Sequence, residues 1–188
     1  MRLRKVKDKY GDEVAIITKA YALNPGVAPG RYITPHSIQG RMASAADGAK
    51  EGAIFNPWPQ DKFYPNSSMP ALEAAKCATL QGVEAFQRYD LGLYDAFFTR
   101  CEDISERDVL VEVARRAELD AERFAYNLDS RSQKSAVMAE HIECVRKFGS
   151  MARGVPLLSI NDGPPLVGAY PIEVWFRAID RAAELARA

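Results

Sequence analysis

The 188-residue chain has only three cysteines, two histidines and no excess of either charge, 25 basic side chains standing against 25 acidic ones. Each shortage excludes something. Cys77, Cys101 and Cys144 lie far apart, form no CxxC and pair with no histidine at zinc-finger spacing, so neither a disulfide framework nor a zinc module is written in the chain. They read as small buried hydrophobes of a reducing compartment. Zero net charge supplies no long-range field to collect phosphates, so neither a nucleic-acid binder nor a binder of anionic membranes is expected. No apolar run approaches the ~18 residues that a spanning helix needs, and the basic start Met1–Lys5 has no apolar stretch behind it. The expectation is a soluble, cytoplasmic protein. A glycine-rich phosphate loop is missing too: Gly149, Gly154, Gly163 and Gly168 surround a hairpin instead of joining a strand to a helix N-terminus.

What is present falls into three blocks. Leu3, Val6 and Tyr10 share one face of a short helix that Gly11 stops, and β-branched Val14–Tyr21 predicts a strand covered on one or both faces. Turn formers crowd Asn24–Pro35, a weakly amphipathic Ala-rich piece covers about Gln39–Glu51, and Phe55–Phe63 is an aromatic and proline loop. That loop either covers a core edge or walls a pocket. From Ser68 to Phe148 the chain reads helical. Ser67-Ser68 and Pro70 start a helix over Leu72–Gln81, and Val83–Arg100 carries Val83, Phe86, Leu93, Tyr94, Phe97 and Phe98, an apolar surface wide enough for the centre of a bundle. Ser105–Asp108 resembles a capping box, Asp120 caps a short helix through Leu128, and Ser130 or Ser132 opens one that runs to Phe148. The period then changes. Val155–Ile160 and Pro165–Ala169 are strands about a turn at Asn161–Pro164, and Ile172, Trp175, Phe176, Ile179 and Ala183 line the last helix.

Residues that could carry chemistry are few. His36 sits in a proline loop remote from any nucleophile pattern, and His141 and Cys144, one helical turn apart, are two ligands without a third. Glu112, Glu118, Asp103 and Asp108 are accounted for by helix surfaces and caps. Gly154-Val155-Pro156 is the one local feature with mechanical content: a strand opened by proline, which lacks the ladder donor, marks an edge, a bulge or a cis bond.

The order and residues of several stretches resemble the DsbA family of thioredoxin-fold oxidoreductases, in its cytoplasmic FrnE-like branch beside 2-hydroxychromene-2-carboxylate isomerase and kappa-class glutathione transferase. These stretches are Tyr21-Ala-Leu-Asn-Pro25, Tyr64-Pro-Asn-Ser-Ser-Met-Pro-Ala-Leu-Glu-Ala-Ala-Lys76, Ala96-Phe-Phe98, Asp103-Ile-Ser105 with Val109-Leu110, Gly154-Val-Pro156, and Gly168-Ala169 with Pro171. No single motif is specific, but their order and separation are.

The resemblance implies an α/β thioredoxin-like fold with a large all-helical insertion: residues 1–36 and 149–188 as the two parts of the thioredoxin-like domain, 37–148 as the insertion. It implies a cis Pro156, with the Val155 backbone pairing with an extended substrate, so Gly154, Val155 and Pro156 are the expected substrate-binding residues. The family's first, central strand and its CxxC, or a serine in the isomerases, do not precede the helix at Met1, and none of the three cysteines stands in the catalytic position. An N-terminally truncated thiol–disulfide oxidoreductase is therefore the leading expectation, acting on a thiol or disulfide polypeptide and needing no cofactor. A glutathione-dependent isomerase or transferase, and a redox-inactive peptide-binding relative, are the alternatives. A sheet without its central strand can also pair with another chain, so a homodimer or aggregation is expected.

Overall fold

A computed structural model of the chain describes residues 2–23, 25, 41, 45, 49, 52–65, 67–152 and 154–187. The turn-rich Asn24–Pro35 stretch, His36, the 36/37 boundary and most of the Gln39–Glu51 helix lie outside these residues, although Arg41, Ala45 and Ala49 are helical. The contacts divide the chain into two units: Met1–Lys19 with Ile142–Ala188, and Ala20–His141.

In the first unit, α1 (Arg2–Tyr10) presents Val6 and Tyr10 inward and leaves its lysines in water. Gly11 ends it with φ +54°, a left-handed conformation that glycine adopts without a Cβ penalty. α7 (Ile172–Arg187) buries Ile172, Trp175 and Ile179, a stripe one helical face wide, and these pack with Val6, Val14, Leu158, Ile160 and Leu166. The Tyr10 ring meets Phe176 edge-on at 5.8 Å and its hydroxyl donates to Asp180 at 2.7 Å, tying α1 to α7. The strands are short: β1 (Leu157–Leu158) pairs antiparallel with β2 (Leu166–Val167), with Leu157 opposite Val167 and Leu158 opposite Leu166. The expected strand from Val155 begins only after Pro156, because proline offers no ladder donor. Asn161 and Asp162 have φ +46° and +59°, the left-handed pair of a type I′ hairpin turn closed by the Gly163 amide on the Ile160 carbonyl at 2.9 Å.

The expected strand at Val14–Tyr21 does not form. β1 and β2 make the one sheet among the described residues, so this stretch has no neighbour with which to build a ladder. Side chains hold its far end instead: Glu140 accepts from the Ala20 amide at 2.6 Å, and Ser68 Oγ accepts from the Leu23 amide at 2.7 Å. Its near end is left bare, with Ile17 79% exposed.

The second unit is a helical bundle. α2 (Met69–Thr79) starts with Pro70 in its first turn, where a missing N–H costs nothing, and earlier than the expected Leu72. α3 (Val83–Tyr94) buries Ala85, Tyr89 and Leu93, not the wide aromatic face expected: Val83 and Tyr94 are exposed, and the helix widens into a π-helical turn, Asp95–Thr99, that redirects Phe97 and Phe98. α4 (Arg107–Arg116) contributes Leu110, Val111, Val113 and Ala114. A Cβ added to Gly92 would stand 3.0 Å from Val113 Cγ1, so α3 and α4 approach as closely as they do because position 92 has no side chain. The Ser105 capping box does not form; the Ser105 amide and hydroxyl both bond the Asp103 carboxylate. Asp120 caps α5 (Ala121–Asp129) by accepting from the Arg123 amide at 3.0 Å. α6 (Lys134–Phe148) begins after Ser130 and Ser132, whose hydroxyls donate to the Asn127 carbonyl instead of capping it. Its Val137 packs with Ala20, Ala22 and Met69.

Candidate functional site

Gly154, Val155 and Pro156 form the turn that leads into β1. The Val155–Pro156 bond is cis. Val155 is 48% exposed, and its main-chain groups make no hydrogen bond to the described residues. The Pro156 carbonyl accepts from the Gly168 amide at 2.8 Å, which fixes the turn to the start of the chain beyond β2. A Cβ on Gly154 would stand 2.5 Å from Val167 Cγ1, so the turn lies against β2 only because residue 154 is glycine. The result is a pinned turn with one exposed residue whose amide and carbonyl are unused among the described residues, the groups with which an extended chain pairs.

Two of the cysteines, Cys77 and Cys144, are placed against thiol exchange. Reactive thiols sit at helix N-termini or beside cations, where the thiolate is stabilised. Cys77 lies near the C-terminal end of α2, is 1% exposed, and burial pushes its thiol up to about 11, with Glu73 adding to the effect. Burial, and then neighbouring Glu143, raise the Cys144 thiol on α6. Cys101 is buried, with Sγ 3.3 Å from the Pro57 carbonyl and 3.4 Å from Arg41 Nη2. The three are free thiols. His141 lies against the Tyr21 ring at 4.9 Å, and among the described residues no three His, Cys, Asp or Glu side chains gather as metal ligands.

Two buried charges were not foreseen from the sequence. Arg41 is 6% exposed: its guanidinium lies 5.1–5.5 Å from the Trp58, Phe97 and Phe98 ring centroids, and it donates to the Asn56, Phe97 and Phe98 carbonyls at 2.8–2.9 Å. It fastens the aromatic loop to the π-helical turn, so that loop covers a core edge. The signal available was indirect: a loop this rich in proline and aromatics leaves carbonyls that something must satisfy. Glu73, 2% exposed, receives a bidentate pair from Arg131 at 2.7 and 2.8 Å, and Arg131 itself has φ +54°. In the other unit, a concavity of about 270 Å³ lies between α1 and α7, bordered by Tyr10, Val14, Asp180, Glu184 and Arg187. Tyr10 on Asp180, at its border, is an exposed contact that already joins the two helices.

An end unit of helix, two-stranded hairpin and helix, with a proline turn before the hairpin, and a helical bundle carried between its two parts in sequence, define the class of thioredoxin-like folds with a helical insertion. Residues 1–180 match the model of the DSBA-like thioredoxin domain family, and the chain belongs to that family. Two solved structures show the same fold. One, described as a DsbA oxidoreductase from Streptomyces coelicolor, superposes with TM-score 0.79 at 21% identity over 97% of this chain and 82% of its own. The other, described as a protein disulfide isomerase from Nitrosomonas europaea, gives 0.74 at 17% identity over 98% and 89%. Among curated proteins, the ClpXP adapter protein SpxH of Bacillus subtilis is 31% identical over 100 residues, 53% of this chain and 32% of that protein. The SpxH protein of Halalkalibacterium halodurans is 25% identical over 130 residues, 65% and 40% respectively. The chain thus spans well under half the length of these curated relatives. No helix among the described residues is long and apolar enough to cross a membrane.

Proposed function

We propose that these 188 residues are the polypeptide-binding part of a thiol–disulfide oxidoreductase domain of the FrnE-like branch, holding an extended substrate segment on Gly154-Val155-Pro156. The observation that carries this reading is Val155, exposed and with no main-chain hydrogen bond among the described residues, in a turn that Gly154 and Gly168 hold in place. The same proposal locates the redox pair of the domain outside these residues, since they hold no CxxC and burial raises the Cys77 and Cys144 thiols. Free cysteines, two of the three buried, fit a cytoplasmic setting. The experiment is binding of unfolded, reduced and carboxymethylated polypeptide to the protein, followed by fluorescence anisotropy, with Val155→Pro as the variant that removes the amide. The expected result is saturable binding that the variant lowers about tenfold or more, with no reduction of insulin by either protein. Binding indifferent to the variant sinks the site, and insulin reduction by these residues alone sinks the placement of the redox pair. An in-frame CxxC, or a serine counterpart, within ~30 codons upstream of Met1, roughly a strand and a turn, is the further support to seek.

One observation favours a second reading. With no CxxC among these residues and the Cys77 and Cys144 thiols raised by burial, a peptide-holding adaptor that never exchanges thiols uses the same turn, and the curated relatives carry the name of an adapter protein. Binding to a natively folded client, undiminished when all three cysteines are replaced, separates this reading from the first.

A further inference from the structure

The three thiols differ in their charged neighbours. Cys77 and Cys144 have a carboxylate, Glu73 and Glu143, whereas Cys101 has a guanidinium: Arg41 Nη2 stands 3.4 Å from its Sγ. The π-helical turn sets this up. The Arg100 amide bonds the Asp95 carbonyl and the Glu102 amide the Ala96 carbonyl, and between them Cys101 takes a left-handed conformation, φ +52°, with its side chain buried. There the thiol donates to the Pro57 carbonyl at 3.3 Å.

Arg41, 6% exposed, is left incomplete at one atom. Nε and Nη2 donate to the Asn56, Phe97 and Phe98 carbonyls, no carboxylate pairs with the guanidinium among the described residues, and Nη1 is buried without an acceptor. Tyr64 is near, and the guanidinium offsets part of the rise that burial gives its hydroxyl, but Nη1 makes no hydrogen bond to it. A buried cationic donor without a partner is costly, and the two terminal nitrogens form one planar fork. What this fork lacks, on the side where it meets sulfur, is an anionic oxygen.

The cover over Cys101 sets the size of what reaches it. Asn56 and Pro57, whose carbonyls lie 3.6 and 3.3 Å from Sγ, are themselves exposed, so one layer of loop separates the sulfur from water. Brief local opening of such a layer admits a molecule of two heavy atoms and keeps out a protein thiol. We propose that Cys101 is a modification site for hydrogen peroxide, which oxidises it to a sulfenic acid that Arg41 holds. Sulfur attacks one peroxide oxygen, the S–O bond forms as the O–O bond breaks, and sulfur gives up two electrons; the departing hydroxide takes the thiol proton and leaves as water. The guanidinium faces the negative charge that grows on oxygen in this step, and Nη1 gains its acceptor. This inference is independent of the peptide-binding turn and of where the redox pair of the domain lies.

The test exposes the folded 188-residue protein to hydrogen peroxide, removes the excess with catalase, and unfolds the protein in denaturant containing dimedone, which traps sulfenic acid; peptide mass spectrometry then reads each cysteine. Cys101 is expected to be modified about tenfold faster than Cys144, although Cys144 is the least buried of the three, and to lose that lead in protein unfolded before the peroxide is added. Arg41→Met is expected to slow modification of Cys101 about tenfold, the loss of one charge-assisted hydrogen bond, with Arg41→Lys in between. The direction matters, because removing an arginine that only clamped the loop would uncover Cys101 and speed its oxidation. Folded protein in which Cys101 reacts no faster than Cys144 overturns the proposal. So does a folded Arg41→Met protein oxidised at Cys101 at the parent's rate or faster. If Arg41→Met proves misfolded by circular dichroism, the parent decides alone, through Cys101 leading Cys144 in the folded state and not in the unfolded one.

Discussion

Among the described residues, the helical unit Ala20–His141 closes one cluster of sixteen buried residues, whereas the unit made from the chain's two ends closes a cluster of four. Their backbones explain the difference. Each helix of the bundle satisfies its own amides, so the unit needs only side-chain contacts to complete it, and it has them: Tyr89 against Phe124 at 5.0 Å, its hydroxyl on the Leu110 carbonyl, and Gly92 letting α3 meet α4. The end unit contains strand-forming sequence, and a strand is finished only by a neighbour. β1 and β2 find each other across the short loop that holds the Asn161-Asp162 turn, while Ala15–Thr18 finds no ladder partner among the described residues. Local structure is therefore complete in one unit and conditional in the other.

The two tryptophans report the units separately, since Trp58 lies in the helical unit and Trp175 in the end unit, both buried. In urea, a Trp175→Phe protein, read through Trp58, is expected to unfold at a higher midpoint than a Trp58→Phe protein read through Trp175. Coincident midpoints would mean that the units unfold as one and would break the comparison. The largest mutational effect belongs to the helical core. Phe124→Ala empties a fully buried ring site and is expected to lower stability by about 3–5 kcal/mol in the Trp58 signal.

The buried ion pair is next and has a direction. Removing Arg131 strands the Glu73 carboxylate among apolar helices, so Arg131→Ala is expected to cost about 3 kcal/mol; Glu73→Gln leaves a half-exposed guanidinium free to turn to water and costs about 1 kcal/mol. Equal losses in chemical denaturation would show that the carboxylate is not desolvated as described.

The two close-approach glycines make a matched pair. Gly92→Ala pushes on Val113 at 3.0 Å inside the bundle, and Gly154→Ala meets Val167 at 2.5 Å beside the substrate turn. Each is expected to cost about 1–3 kcal/mol, the first in the Trp58 signal with polypeptide binding retained, the second in the Trp175 signal with binding lost. Binding retained by Gly154→Ala would detach the turn from the candidate function.

How far the sequence reaches differs in the same way. Helices α1, α2, α5 and α7 are legible to within a few residues, because their starts and stops are local: Pro70, the Asp120 cap, Gly11, the Ile172–Ile179 stripe. The turn at Asn161-Asp162 is equally local. Val14–Tyr21 looks like a strand for sound reasons and is not one, because the missing determinant is a partner and not a propensity. In Val83–Arg100 the composition is right and the face wrong, since the π-helical turn at Asp95–Thr99 rotates everything after it. At the candidate site, the position of Gly154–Pro156 before a hairpin is visible in the sequence. Arg41 and Glu73 are not, because burial of a charge depends on carbonyls and a guanidinium brought from 15 to 58 residues away.

The smallest effects separate the units by the sign of their pH dependence. In the end unit, the Tyr10 hydroxyl, and after it Lys9, hold the Asp180 carboxyl below its ordinary value. The folded state binds that proton more weakly than the unfolded state, so this contribution is present above the ordinary carboxylate pKa and is lost as pH falls through the folded one. In the helical unit, burial raises Asp90, so the folded state prefers the proton, and ionisation above that pKa weakens the unit. Asp180→Asn is therefore expected to lower the Trp175 midpoint at pH 7, and Asp90→Asn to raise the Trp58 midpoint there. Both differences shrink on acidification, the Asp90 one first, because its folded pKa lies higher. An Asp90→Asn protein that is less stable at pH 7 than the parent would mean the carboxylate has a partner that outweighs its burial, and the contrast in sign between the units would fall with it.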